Sequence, residues 1–160
     1  RSLNFKTIPA EVIGRDSNGW FRIIYINKGS NQGIVKGMAV IALNGLVGQI
    51  ILAAPNSSKV LLLTDIRNSA AALVQRSRNS GIVTGSDTNG CKMKYLNRNA
   101  DAKVGDRIVS SGLGGIFPKG LLIGWIKRIS EQDSSFFLDA EITPGVDMDK
   151  LEEVLVIIDK

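Results

Sequence analysis

The sequence contains no histidine, and that absence excludes more chemistry than any residue present suggests. Ser-His-Asp and Cys-His catalysis both depend on an imidazole base, and zinc sites with histidine ligands need the same ring. The single cysteine, Cys91, builds no thiolate metal site and closes no internal disulfide, so it says little about compartment. Acid–base chemistry would have to rest on carboxylates, lysine or tyrosine. No run of about 18 apolar residues occurs, so nothing reads as a membrane-spanning helix, and nothing reads as a signal peptide. The chain opens at Arg1 without an initiator methionine, which we read as a domain whose targeting segment lies upstream. No strong charge bias is present either. The net charge of +5 comes from scattered basic residues, so a solvated surface is the preferred reading. Contact with an anionic lipid surface or polymer is the alternative.

What is present points to strands. A chain of 160 residues is one domain or two small ones, and 44% apolar residues suffice for a core. Seventeen glycines against four prolines suggest many turns and close strand crossings. Asn18-Gly19, Asn44-Gly45 and Asn89-Gly90 each sit between apolar runs, and Asn-Gly supplies the positive φ values of a type I′ hairpin turn. The predicted strands are 8–14, 20–27, 39–43, 46–54, 59–64, 70–75, 80–85, 91–96, 107–111, 121–130, 135–143 and 153–158. Helix is scarce, with single turns expected at 147–152, capped by Asp147, and at 56–58.

A weak internal echo organises these strands. Gly37 precedes the strand at 39–43, and Gly48 lies inside the next one. Gly105 and Gly124 repeat that arrangement around 107–111 and 121–130. Glycine inside a strand suggests a sharp bend, as at a barrel corner. The expected fold is therefore all-β, two small related β-barrels with little helix. The first is expected over residues 1–72. The second covers 73–160 and carries an inserted glycine-rich loop at 110–120. The C-terminal strand 153–158 fits either barrel, a return to the first being the alternative to a place in the second.

The loop itself, Ser110-Ser111-Gly112-Leu113-Gly114-Gly115-Ile116-Phe117-Pro118-Lys119-Gly120, invites a phosphate-binding reading. A phosphate cradle needs a helix N-terminus and a hydroxyl after the lysine. Here Gly120 follows Lys119, and a β-branched run comes next, so an irregular connection between strands is preferred. Asp65, Asp87, Asp101, Asp106, Asp133 and Asp139 show no spacing that pairs two carboxylates on one face. Ser110 or Ser111 with Lys103, Lys119 or Lys127 lacks a Ser-x-x-Lys motif. Lys92-Met93-Lys94-Tyr95 has the flavour of a base-stacking platform. Strict alternation puts the lysines on one face and Met93 with Tyr95 on the other, which favours core plus solvent. Trp20-Phe21 and Phe136-Phe137 should each point one ring inward and one outward, with Phe136 joining Leu138, Ala140 and Ile142 on the buried face.

Several segments resemble the bacterial rod shape-determining MreC family. They are Asn27-Lys28-Gly29-Ser30-Asn31-Gln32-Gly33-Ile34, Gly45-Leu46-Val47-Gly48, the run from Asn56 to Asp65, Val104-Gly105-Asp106 and, most closely, Ser111 to Gly120. The resemblance runs from about Val12 to Ile157. It implies the barrel region of a protein whose short cytoplasmic N-terminus, transmembrane helix and coiled coil lie upstream, so that membrane attachment comes only through that missing helix. It implies a non-enzymatic scaffold of cell elongation on the extracytoplasmic face of the cytoplasmic membrane, the periplasm in a Gram-negative cell. The implied partners are the class B penicillin-binding transpeptidase of elongation, MreD and RodZ, MreB indirectly, and further copies in dimers or filaments. No cofactor, metal or nucleic acid is implied. One barrel of the family is similar in shape to that of chymotrypsin-like proteases. The alternatives are a degenerate hydrolase on such a barrel, and a basic barrel binding nucleic acid or an anionic polymer. Partner capture along exposed strand edges fits the scaffold reading. Phe117 at the loop tip and Phe137 on the polar face of its strand are the expected contact residues, with core or inter-barrel packing the alternative for each. Gly112, Gly114, Gly115, Pro118 and Gly120 are read as structural residues of the motif.

Overall fold

Runs of valine, isoleucine and leucine broken by glycine and asparagine fold as strands along the chain. The computed structural model describes residues 5–18, 21–43, 45–87, 89–131 and 136–159. Six strands form one closed antiparallel barrel: β1 (Lys6–Asn18), β2 (Phe21–Ile26), β3 (Ala39–Ala42), β4 (Gly45–Ala53), β5 (Ser58–Leu62) and β12 (Glu153–Asp159), neighbours in the order β1-β12-β3-β4-β5-β2. The other six are β6 (Ser69–Val74), β7 (Ser80–Gly85), β8 (Cys91–Asn97), β9 (Arg107–Ser110), β10 (Leu122–Glu131) and β11 (Phe137–Pro144). They close in the order β10-β11-β8-β7-β6-β9.

Several expectations are refined by these pairings. The last strand joins the first barrel, with Leu155 opposite Pro9 on one side and Ile41 on the other. Strand β6 spans residue 72 and pairs with β7 and β9. The polar stretch after it is a hairpin turn, with Arg78 at φ 68°. Strand β1 runs past Gly14, because that residue marks a register shift at which β1 passes from pairing with β12 to pairing with β2. Gly19 and Asn44 of the first two Asn-Gly signals lie outside the described residues, yet the strands on either side pair as hairpins. A helical turn forms at Met148–Lys150, where the Asp147 carboxylate accepts the Asp149 N–H at 3.1 Å. The turn expected at 56–58 is only a bend. The second helical turn is Ser30–Gln32, held by Ser30 and Asn31 N–H groups donating to the carbonyls of Ala54 and Pro55.

The echo is a structural repeat. Strands β3, β4, β5, β2, β1 and β12 follow one another around their barrel as β9, β10, β11, β8, β7 and β6 follow around theirs. The second barrel is thus the first with its closing strand moved to the front, and it is inserted between β5 and β12. Detail agrees. The Gly37 N–H donates to the Ile50 carbonyl at 2.8 Å, and the Gly105 N–H to the Ile126 carbonyl at 2.8 Å. A Cβ on Gly48 would sit 1.9 Å from the Leu61 oxygen, and one on Gly124 2.0 Å from the Thr143 oxygen.

Closure removes the edge strand that partner capture by strand addition requires, so that expectation loses its ground. One-sided pairing survives along the two halves of β1 and in β10 beyond Ile126, and the latter stretch carries Lys127, Arg128 and Glu131, charges that oppose strand addition. The buried side chains of both barrels form one contiguous cluster, from Ile24 and Val60 through Leu63 and Cys91 to Met93 and Ile126. At the junction, Gly85 lies so close to the chain that a Cβ there would meet the Thr64 oxygen at 2.2 Å.

Candidate functional site

The glycine-rich segment links β9 to β10 as a loop closed at its neck. The buried Ser110 hydroxyl donates to the Pro118 carbonyl at 2.5 Å and accepts the Leu121 N–H at 2.9 Å, while the Gly120 N–H donates to the Ser110 carbonyl. Gly112, Gly114, Gly115 and Gly120 have φ between 78° and 91°, the left-handed region that a path of this shape demands. A strand follows, so the segment lacks the helix N-terminus of a phosphate cradle. Phe117 is 4% exposed and belongs to the core cluster. It anchors the loop and is not displayed, because the positive-φ glycines fold the loop back over the barrel. Leu113 is the apolar side chain this loop exposes.

The carboxylates named from the sequence are largely tied to cations. Asp65 is fully buried and accepts from the Arg67 guanidinium at 2.8 Å and from the Arg22 backbone N–H at 2.7 Å. Burial raises its pKa, but the Arg67 guanidinium and these N–H groups outweigh burial and hold the carboxyl below its ordinary range. Arg76 bridges Asp101 at 2.8 Å and Asp106 at 2.9 Å, and its hydrogen bonds lower both carboxyls. Asp139 lies 3.9 Å from Lys92. Asp133 lies outside the described residues. Ser110 is engaged with backbone rather than with a lysine. Burial pushes the Cys91 thiol up to about 12, so it stays protonated and unreactive. A groove of about 580 Å³ on the first barrel is lined by Glu11, Lys28, Leu43, Lys150 and Glu153, among others, and these include no nucleophile with a base.

The surface that departs most from expectation lies on β8 and β11. Alternation places Met93 and Tyr95 on one face. Met93 is indeed fully buried, but Tyr95 is 58% exposed. Between the pairs Met93–Ala140 and Leu96–Leu138 the register shifts, so that Lys94 and Tyr95 together oppose Asp139. This is a β-bulge, which re-aims a side chain. Tyr95 bears its strain at φ 65°. A left-handed conformation costs a bulky residue roughly 1–2 kcal/mol. The Tyr95 ring meets Phe137 edge-on, centroids 5.6 Å apart, and such a pair returns only about 0.5–1.5 kcal/mol. Phe137 is 39% exposed on its strand's outer face, as expected. Phe136, expected inside, is 83% exposed, because β11 begins only at Phe137, two residues later than expected, and the Phe136 carbonyl accepts the Arg98 N–H. Trp20 lies outside the described residues, and its neighbour Phe21 carries the Arg67 guanidinium 4.3 Å from its ring centre.

Sequence reasoning put Tyr95 on the wrong face. The spacing of Met93 and Leu96, three apart, shows only once both are known to be buried that strict alternation breaks between them.

The family described as "Rod shape-determining protein MreC, barrel core" matches residues 12–158. The cell shape-determining protein MreC of Listeria monocytogenes is 36% identical over 159 residues, covering 96% of this chain and 54% of its own length. The chain spans about half the length of the curated relatives it matches. A crystal structure of MreC from Pseudomonas aeruginosa superposes with a TM-score of 0.89 at 33% identity, covering 95% of this chain and 99% of that one. MreC from Helicobacter pylori, solved as a complex with penicillin-binding protein PBP2, superposes at 0.78 over 98% of this chain and all of that one. Its identity of 16% makes that a likeness of fold.

Proposed function

The chain belongs to the MreC family, and on that premise we propose that it is the partner-binding region of a cell shape-determining scaffold. The scaffold organises or activates the class B penicillin-binding transpeptidase of elongation through protein–protein contacts and self-assembly. It acts at the extracytoplasmic face of the cytoplasmic membrane, held there by a membrane segment upstream, alongside MreD and RodZ and, indirectly, MreB. The observation that carries the partner is the Helicobacter pylori relative of the same fold, solved together with its penicillin-binding protein. A non-enzymatic role is supported by the lack of any histidine and by carboxylates committed to arginines. Activation through such contacts means that the barrels bind one conformation of the transpeptidase better than another. Phe137 is proposed as a contact residue on its exposed strand face, while burial of Phe117 gives it the part of loop anchor.

The test is a pulldown of the chain, with its upstream coiled coil restored, against the extracytoplasmic part of the transpeptidase. Retention of the transpeptidase is expected. No detectable binding at micromolar concentration would overturn the partner.

A further inference from the structure

Tyr95 holds a backbone conformation that glycine or asparagine adopts with less strain, and no core contact explains it. What the bulge accomplishes is display, since it turns the ring out of the barrel and stands it beside Phe137 and Lys94. Strain of this kind clusters where a surface is used. We infer that the β8–β11 end of the second barrel docks a partner-protein segment carrying an apolar side chain and, next to it, a carboxylate. This deepens the proposed function and rests on it for the partner's identity.

The chemistry of the segment comes from what surrounds the ring. Phe137 packs against Tyr95 in a T-shaped pair, and Tyr95 remains 58% exposed. Around these rings, three cations are already matched: Lys92 with Asp139 at 3.9 Å, Arg98 with Glu131 at 3.1 Å and Arg128 with Glu141 at 3.0 Å. Lys94, next to Tyr95 in the bulge, has no ion-pair partner among the described residues. An apolar centre within a polar rim, with tyrosine as anchor, is the anatomy of a protein interface. The single unmatched ammonium asks for one acid. Bringing Tyr95 to the outer side with both lysines removes the separation that spoke against a base-stacking platform. Yet a phosphate polymer would meet Asp139, Glu131 and Glu141 as well as the lysines, so a polyanion fits worse. A second copy docking the same surface about a two-fold axis would offer Lys94 only Asp139, Glu131 and Glu141, acids that already have cations of their own.

The test uses the full-length chain and the extracytoplasmic part of the transpeptidase. Tyr95→Asn keeps a residue that tolerates the left-handed backbone, Tyr95→Phe keeps the ring, and Lys94→Glu reverses the charge. Asparagine is expected to weaken binding by about tenfold or more, with the unfolding midpoint within about 3 °C of the parent. Phenylalanine should retain binding. Glutamate should weaken it by about tenfold at low salt, and less at high salt. Unchanged binding by both Tyr95→Asn and Lys94→Glu, with the parent binding normally, overturns this surface and leaves the scaffold reading standing. So does a loss of binding seen only when the midpoint collapses. Effects confined to self-association, or to retention of an anionic polymer, overturn the protein-partner assignment. If the parent chain itself fails to bind, the scaffold reading falls and this inference with it.

Discussion

Asp65 shows how much one side chain can fix at the junction of the barrels. It is buried where the chain leaves β5 for β6, and it ties the Arg22 backbone of β2 to Arg67. A carboxyl whose pKa is lowered by folding stabilises the fold above its unfolded value, near 3.9. That contribution disappears as pH falls through the still lower folded value. Urea unfolding should therefore show no contribution of Asp65 to pH dependence between neutrality and about pH 5, and a decline below about pH 4. Asp65→Asn is expected to lower stability at pH 7 by about 2 kcal/mol and to flatten the acid decline. The Arg67 side chain, 43% exposed, keeps access to water when its partner is gone, which limits the loss. Equal pH slopes for parent and variant would refute the assignment. None of this was legible in the sequence, where Asp65 is one of six candidate aspartates, most of them at strand ends or turns, because its partners Arg22 and Arg67 meet it only through the fold.

At the scale of elements, the strands and most of their ends were legible, and so was the repeat, through its glycines. Gly48 and Gly124 occupy equivalent bends against a neighbouring strand's carbonyl. Alanine at either should cost about 3 kcal/mol or more, since backbone and not a flexible side chain stands in the way. Gly114 offers the contrast. Its φ is 84°, and no atom lies within 4 Å of the place a Cβ would take, so alanine there meets torsional strain alone, about 1–2 kcal/mol. Denaturant midpoints for the three variants separate the two kinds of demand, and equal losses would refute the steric account. The bulge in β8 was not legible as such. Alternation reports which face a residue takes only while the register is unbroken, and one extra residue turned Tyr95 out and Leu96 in.

Across the whole molecule, β12 is the strand on which closure depends. It pairs with β1 on one side and β3 on the other, at the far end of the chain from both. A chain ending at Glu152 would leave those two strands with open edges, and open edges pair with other chains. Sedimentation should show that truncated chain associating, with loss of the first barrel's amide protection and retention of protection in β6 to β11. A monomer that keeps protection in both barrels would refute this.

Local chemistry thus settled the all-β class, the hairpin pairings, the glycine bends and the kinship of the two halves. These depend on neighbours in sequence: backbone freedom at glycine, side-chain period along a strand, hydrogen bonding within a turn. The place of β12, the burial of Phe117 and the exposure of Tyr95 depend on contacts between distant segments. Barrel closure chooses which edge a strand satisfies, and a loop's path chooses what it covers. No short-range pattern encodes either, so folding decided them.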